Sequence, residues 1–252
     1  GDESMGETME RAGNFLPRLD QGPFAGEGVD RNLVTLTAPA SAAAEQFRTL
    51  YFRLERLKQL RPLKVVSFTS ALPGEGKTVT ALNLALTAAR ASLDRRILLV
   101  DADLRRGAVA GLLGIRATPG LRELLEGEAE IRDVVRRFQG ERLAVIPCGG
   151  ASAEPTHALA SARMRQLLER VREHFDEVYL DLPPTLPYAD AAILGSLSDG
   201  VLMVIRANQT SARYVHQAVE MLAGAPVVGC VLNGSDQVAQ AGPPARKGPR
   251  KA

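Results

Sequence analysis

Eight consecutive residues, Ala71-Leu-Pro-Gly-Glu-Gly-Lys-Thr78, match the pattern Ala/Gly-x4-Gly-Lys-Ser/Thr of a loop that holds phosphate. They follow an apolar run, Val65-Val-Ser-Phe-Thr69, and open a helix-forming one from Thr78 to Arg90. Gly74 and Gly76 let successive N–H groups turn inward at the helix N-terminus, where the helix dipole adds about half a positive charge. Lys77 brings a full charge on a flexible stem, and the Thr78 hydroxyl can ligate magnesium. Pro73, Glu75 and Val79 complete the stretch expected to surround a nucleoside triphosphate. A glycine-rich turn that binds nothing has no need of strand, loop, Gly-Lys-Thr and helix in this order.

Three acids stand where such a ligand would need them. Asp101 and Asp103 follow the apolar segment 97–100, and Asp181 follows the segment 178–180. In open parallel sheets, ligands sit outside the carboxyl ends of the strands. Two apart in an extended segment, the Asp101 and Asp103 carboxylates are expected on one side. With Asp181 they are expected to form an acidic cluster beside Thr78, the oxygen-rich surrounding that Mg2+ takes. Singly, each Asp has a plain alternative as a turn residue after a strand. Together, three carboxylates next to the loop would repel one another without a cation.

The elements that position these residues are legible from periodicity. Ser41 caps a helix to about Lys58, with Phe47, Leu50, Tyr51, Leu54 and Leu57 on one face. Near-continuously apolar strands are expected over 65–69, 96–101, 143–147, 177–181, 200–205 and 227–232. Helices are expected between them, after Pro119, over 164–175, around 189–195 and over 211–223. Strands of this kind alternating with helices predict a doubly wound, mostly parallel sheet with helices on both faces. Residues 1–37 read as a flexible arm, 38–234 as the folded P-loop domain, and 235–252 as a disordered basic tail.

Composition narrows the partners. In 252 residues, 45% hydrophobic and 24% charged content suit one globular α/β domain. A net charge of +2 makes no global demand for nucleic acid, and none is expected as a partner. Four cations in the tail, Arg246, Lys247, Arg250 and Lys251, are separated by Gly and Pro and read mainly as solvation. Two cysteines, Cys148 and Cys230, close apolar strands and are expected to be reduced core thiols of a cytoplasmic protein. No apolar run reaches the roughly 18 residues of a membrane span.

The segments Pro73-Gly-Glu-Gly-Lys-Thr78, Leu99-Val-Asp-Ala-Asp-Leu-Arg-Arg106 and Val178-Tyr-Leu-Asp-Leu-Pro-Pro184 resemble the Walker A, A′ and B motifs of the bacterial tyrosine kinases (BY-kinases) that regulate capsule and exopolysaccharide synthesis. The resemblance extends to 120–127, 199–206 and 228–233, and so covers roughly 42–234. The related MinD/ParA-type positioning and partitioning ATPases begin the loop with Lys-Gly-Gly. Here those positions hold Leu72, Pro73 and Gly74, which favours the kinase branch.

The resemblance implies ATP and Mg2+ as cofactors, with Lys77 on the β- and γ-phosphates and Thr78 and Asp181 holding the metal directly or through water. It also implies Asp103 as metal support and Asp101 as the candidate base for a tyrosine hydroxyl, both counted with Lys77 as catalytic. Asn233 would lie near the adenine, its alternative being a strand-ending Asn-Gly turn. Arg105 and Arg106 would face phosphates or an adjoining subunit. A membrane polysaccharide co-polymerase acting as chain-length regulator and activator, protein tyrosines in trans and a homo-oligomer are the implied partners. Through that co-polymerase the protein would sit at the inner face of the membrane.

Departures from the family pattern temper this. Residues 235–252 contain no tyrosine, whereas the family ends in a tyrosine cluster. Tyr51, Tyr179, Tyr188 and Tyr214 are the only four, each readable as packing, with Tyr188 the least confined. The family's Glu-x-x-Arg-x-x-Arg contact helix survives as Glu45 and Arg48, but Tyr51 replaces the second arginine, and Gly107 replaces a proline. A catalytically silent, nucleotide-dependent scaffold for the same membrane partner is therefore a second reading. A DNA-binding partitioning ATPase is a third.

Overall fold

The computed structural model describes residues 28–92, 94–138 and 142–235. The expected disorder of the tail, and the first 27 residues of the expected arm, lie outside them. In chain order the elements are α1 (Val34–Thr37), α2 (Ala42–Lys58), β1 (Val65–Ser70), α3 (Lys77–Ala91), β2 (Ile97–Asp101), α4 (Val109–Leu113), α5 (Leu121–Glu126) and α6 (Ile131–Val134). There follow β3 (Arg136–Arg137), β4 (Leu143–Ile146), α7 (Pro155–Ala160), α8 (Ala162–His174), β5 (Glu177–Asp181), α9 (Asp190–Ser196), β6 (Gly200–Arg206), α10 (Ala212–Met221) and β7 (Val227–Asn233).

The strands form one sheet in the order β3-β4-β2-β5-β1-β6-β7, parallel except for the short antiparallel β3. Alternation along each strand feeds two separate cores, one on each face. Leu98, Val100, Val178 and Leu180 join Met164, Leu167, Leu168 and Val171 of α8 on one side. Ile97, Leu99, Phe68 and Tyr179 meet Leu54 of α2 and Leu82, Leu84 and Leu86 of α3 on the other. Both faces are thus covered by helices, the doubly wound architecture expected.

Polar pins fix the non-site end of the sheet. Asp199 accepts from the Lys64 and Val65 amides at 2.9 and 2.7 Å and takes a two-pronged contact from Arg172 at 2.8 and 2.9 Å. Burial opposes ionisation of this carboxyl, but the Arg172 guanidinium and the two amides hold it below the ordinary aspartate range. Glu177, buried at the start of β5, receives Lys58 (2.6 Å), Arg95 (2.8 Å) and the Tyr179 hydroxyl (2.5 Å). That cluster ties α2 to the centre of the sheet. It also explains Tyr51, whose ring packs in the core beneath the same carboxylate.

Three expectations need correction. Residues 28–37 do not extend as an arm. Leu33 is fully buried, and Thr35 is held by Asn83 of α3, whose Oδ1 accepts the Thr35 amide at 3.0 Å while its Nδ2 donates to the Asn32 carbonyl at 2.9 Å. Cys230 is not a core thiol, because β7 is the sheet's edge and the side chain is exposed; Cys148 is buried as expected. Among the tyrosines, Tyr214 on α10 is the most open at 43% exposure, whereas Tyr188 is half-buried with the Arg105 guanidinium 4.0 Å over its ring.

Candidate functional site

The strand order places the ends of β2, β5 and β1 side by side, so the two Asp-bearing segments and the loop meet at one edge of the sheet. Asp101 and Asp181 are register partners on β2 and β5, and Phe68 pairs with Asp181 across β5 and β1. Beyond β1 the backbone runs through Gly74 and Gly76 at φ 84° and 89°, the left-handed region that L side chains rarely adopt. Gly76 then caps α3. A Cβ on Gly76 would stand 2.0 Å from Asn233 Nδ2, so a side chain here would displace that amide.

Lys77 opens α3 and reaches back over the loop. Its ammonium lies 3.0 Å from Asp103 Oδ2 and 3.4 Å from Asp181 Oδ1. Burial opposes the charge, yet Asp181 and Asp103 outweigh it and raise its pKa. The Thr78 hydroxyl donates to Asp181 Oδ2 at 2.6 Å. Asp181 is fully buried, and burial holds its carboxyl above the usual range despite Lys77 and Thr78.

Asp101 behaves differently from the expectation of a shared face. One carboxylate oxygen accepts the Asp103 amide at 3.2 Å and the other the Val109 amide at 3.1 Å, which shapes the turn after β2. Burial, with the charge of Asp181 adding to it, pushes this carboxyl up to about 8. Among the described residues, no group of three or more His, Cys, Asp or Glu side chains is arranged to hold a metal. Asp181 and Asp103 are the carboxylates in contact with Lys77, while Asp101 stays beside Asp181 as its register partner with its oxygens on the two amides. Lys77 supplies the counter-charge that the sequence argument assigned to a cation.

The remaining loop residues divide by role. Pro73 and Gly74 are exposed at the loop's lip, and Val79 in the first turn of α3 is half-buried. Glu75 turns inward, only 3% exposed, and its carboxylate accepts the Leu72 amide at 3.0 Å and the Thr210 hydroxyl. It is a brace of the loop rather than a contact for phosphate. Asn233 donates to the Glu75 carbonyl at 2.9 Å and borders a groove of about 620 Å³ between α2 and the end of β7. Phe47, Leu50 and Arg53 line its α2 wall, and Thr80 lines it from α3.

Arg105 does not face the loop. Its guanidinium pairs with buried Asp190 at 2.8 Å and with Thr156 at 2.8 Å, binding the turn after β2 to α9 and α7. The Arg106 side chain is exposed, as the expectation of a surface role requires. Sequence reasoning missed Thr210 and Asp190, which carry no motif and become meaningful only through their partners.

The oxygen set of Thr78, Asp181 and Asp103 suits a hard divalent ion that keeps waters and phosphate oxygens as its other ligands. The side-chain-free turn at Gly74 and Gly76, with Lys77 poised behind it, suits a polyphosphate. The AAA domain model matches residues 63–224. Tyrosine-protein kinase YwqD of Bacillus subtilis is 35% identical over 211 residues, covering 83% of this chain and 88% of that protein. Succinoglycan biosynthesis transport protein ExoP of Rhizobium meliloti is 35% identical over 208 residues, and there the match covers 81% of this chain but only 26% of the relative. The kinase domain of Escherichia coli tyrosine kinase ETK superposes with a TM-score of 0.77 at 31% identity, covering 87% of this chain and 88% of that domain. By loop, acids and kinship alike, the chain belongs to the bacterial tyrosine kinases, a branch of the P-loop ATPases.

Proposed function

We propose that the chain transfers a phosphoryl group from Mg·ATP to tyrosines of other protein molecules and thereby regulates exopolysaccharide synthesis or export. The single observation that carries this reading is the convergence beside a glycine-built loop of Lys77, 3.0 Å from Asp103 and 3.4 Å from Asp181, with Thr78, 2.6 Å from Asp181. Lys77 would bind the β- and γ-phosphates, and Thr78 and Asp181 would hold the Mg2+ directly or through water. The ion would supply charge neutralisation, the larger part of catalysis in phosphoryl transfer. Asp103 faces the loop and is the carboxylate we place beside the incoming hydroxyl. Asp101, its oxygens given to two amides, presents Asp103 rather than acting itself. The groove beside Asn233 has room for the nucleoside.

A membrane co-polymerase that activates the chain and holds it at the inner membrane face belongs to the same reading. It draws on ExoP, whose name assigns it to succinoglycan biosynthesis transport. Among the described residues, no helix is long and apolar enough to cross a membrane, so membrane residence would have to come through such a partner or through other parts of the chain. Tyr51 and Tyr179 are buried and unsuited as acceptors, burial pushing the Tyr51 hydroxyl up to about 12 and the Tyr179 hydroxyl well above its ordinary range, which leaves Tyr188, Tyr214 and tyrosines of other molecules. The second reading, a nucleotide-dependent scaffold that phosphorylates nothing, is motivated by the lack of tyrosine in residues 235–252.

The test is phosphotyrosine formation by purified protein with Mg·ATP, the activator and a tyrosine-rich acceptor, compared with Lys77→Met. Loss of more than a hundredfold in labelling is expected. Equal labelling would refute the kinase reading, and nucleotide binding without any transfer would leave the scaffold.

A further inference from the structure

Glu75 places an anion inside a loop shaped to receive anions, so the direction of its carboxylate decides whether it helps or hinders. It lies almost wholly inside the protein, with one oxygen on the Leu72 amide at 3.0 Å and the other on the Thr210 hydroxyl. The Thr210 amide donates to the Arg206 carbonyl at 3.1 Å, so the turn after β6 presents the hydroxyl from a fixed position. Two residues earlier Asn208 adopts φ 58°, a left-handed conformation that Asn tolerates better than most residues. On the opposite side, Asn233 holds the Glu75 carbonyl at 2.9 Å. The phosphate loop is thus clipped from outside its own motif, by the residue that precedes α10's cap and by the last residue of β7.

We infer that Thr210 is a positioning residue for nucleotide binding: by donating to Glu75 it keeps that carboxylate inward and the loop in its receptive shape. This rests on the nucleotide-binding reading above. Without the hydroxyl, Glu75 loses one of its two donors and is freer to turn toward water at the loop's mouth. There its charge repels phosphate. Thr210 acts before the nucleotide arrives and touches no reacting atom. Its loss therefore weakens affinity and leaves turnover at saturation alone.

The experiment is calorimetric titration of Mg·ADP into the full chain and into Thr210→Val, Thr210→Ser and Thr210→Val/Glu75→Gln, with kcat for tyrosine labelling at saturating Mg·ATP. Thr210→Val should raise Kd by roughly tenfold or more, as loss of a hydrogen bond to a charged group does. Thr210→Ser should stay within about twofold of the parent. The double variant should regain part of the loss, because the repelling charge is gone. kcat should stay within about twofold for the Thr210→Val and Thr210→Ser single variants. Should Thr210→Val fail to fold, Thr210→Ala removes the hydroxyl without a new methyl contact. Parent-like affinity in the variant that lacks the hydroxyl, equal weakness of the serine variant, or a kcat that falls with affinity would overturn the inference. A parent chain that takes up no Mg·ADP would refute the nucleotide reading itself, with this one following.

Discussion

Replacing Gly74 and Gly76 singly by Ala separates two costs that the loop combines. Both positions hold left-handed φ, 84° and 89°, which costs an L residue roughly 1–2 kcal/mol. A methyl at Gly74 meets nothing within 4 Å, so strain is its whole cost. A methyl at Gly76 stands 2.0 Å from Asn233 Nδ2, and the amide must swing away and forfeit its 2.9 Å bond to the Glu75 carbonyl. That bond is worth about 1 kcal/mol net. Gly76→Ala should therefore cost about 2–3 kcal/mol and Gly74→Ala about 1–2 kcal/mol. A loop that relaxes in the absence of ligand divides the cost between stability and affinity. The quantity to measure is the sum of urea-unfolding and Mg·ADP-binding losses. Adding Asn233→Ala to Gly76→Ala removes the colliding atom, so the double variant should fall short of additivity by about 1 kcal/mol. Equal losses at the two glycines, or strict additivity of the double variant, would refute the steric argument.

Other consequences can be checked more simply. The Glu123 carboxylate, opposed by burial but bound by the Gly120 and Gly150 amides and by Arg122, is held down to about 2. Its folded pKa lies below the unfolded one, so its contribution is full above about pH 4.5 and fades as pH falls toward 2. Glu123→Gln should flatten the decline of thermal stability across that window. Leu33→Ala, at a fully buried side chain outside the predicted domain, should cost about 2–4 kcal/mol in denaturant unfolding. A change below half a kcal/mol would mean that 28–37 is not packed as described. Glu177→Ala strips Lys58, Arg95 and Tyr179 of a buried partner and should cost about 3 kcal/mol. Mg·ADP affinity of the folded protein should be unchanged, because Glu177 begins the strand that Asp181 ends, about 13 Å away.

Much of the fold was written in short-range pattern. The phosphate loop, the Ser41 cap and the apolar strands follow from periodicity and turn chemistry, because both faces of the sheet are buried and strand runs cannot be mistaken for loops. The segment 28–37 carries no period, since it is held by one buried leucine, Leu33, and by the polar side chain of Asn83 from about fifty residues downstream. Cys230 looked interior because an edge strand in a parallel sheet is as apolar as a central one. At the site, residue types announced the acids, but their directions were not legible. Asp101 points at amides that exist only once the turn to Val109 has formed. Glu75 reads as a ligand in the motif and as a brace in space, and Thr210 has no signature at all.

The central place of β5 has a consequence for how this site tolerates change. The Ala102 amide donates to the Asp181 carbonyl at 2.9 Å, and the Leu182 amide donates to the Phe68 carbonyl at 2.9 Å, so main-chain bonds on both flanks fix how far Asp181 projects. Side-chain substitutions in either core can loosen the protein without shifting that carboxylate along its strand. One residue inserted between Glu177 and Asp181 would instead turn it to the opposite face of the sheet. The spacing of those five residues is accordingly a stricter requirement than the identity of the three between them.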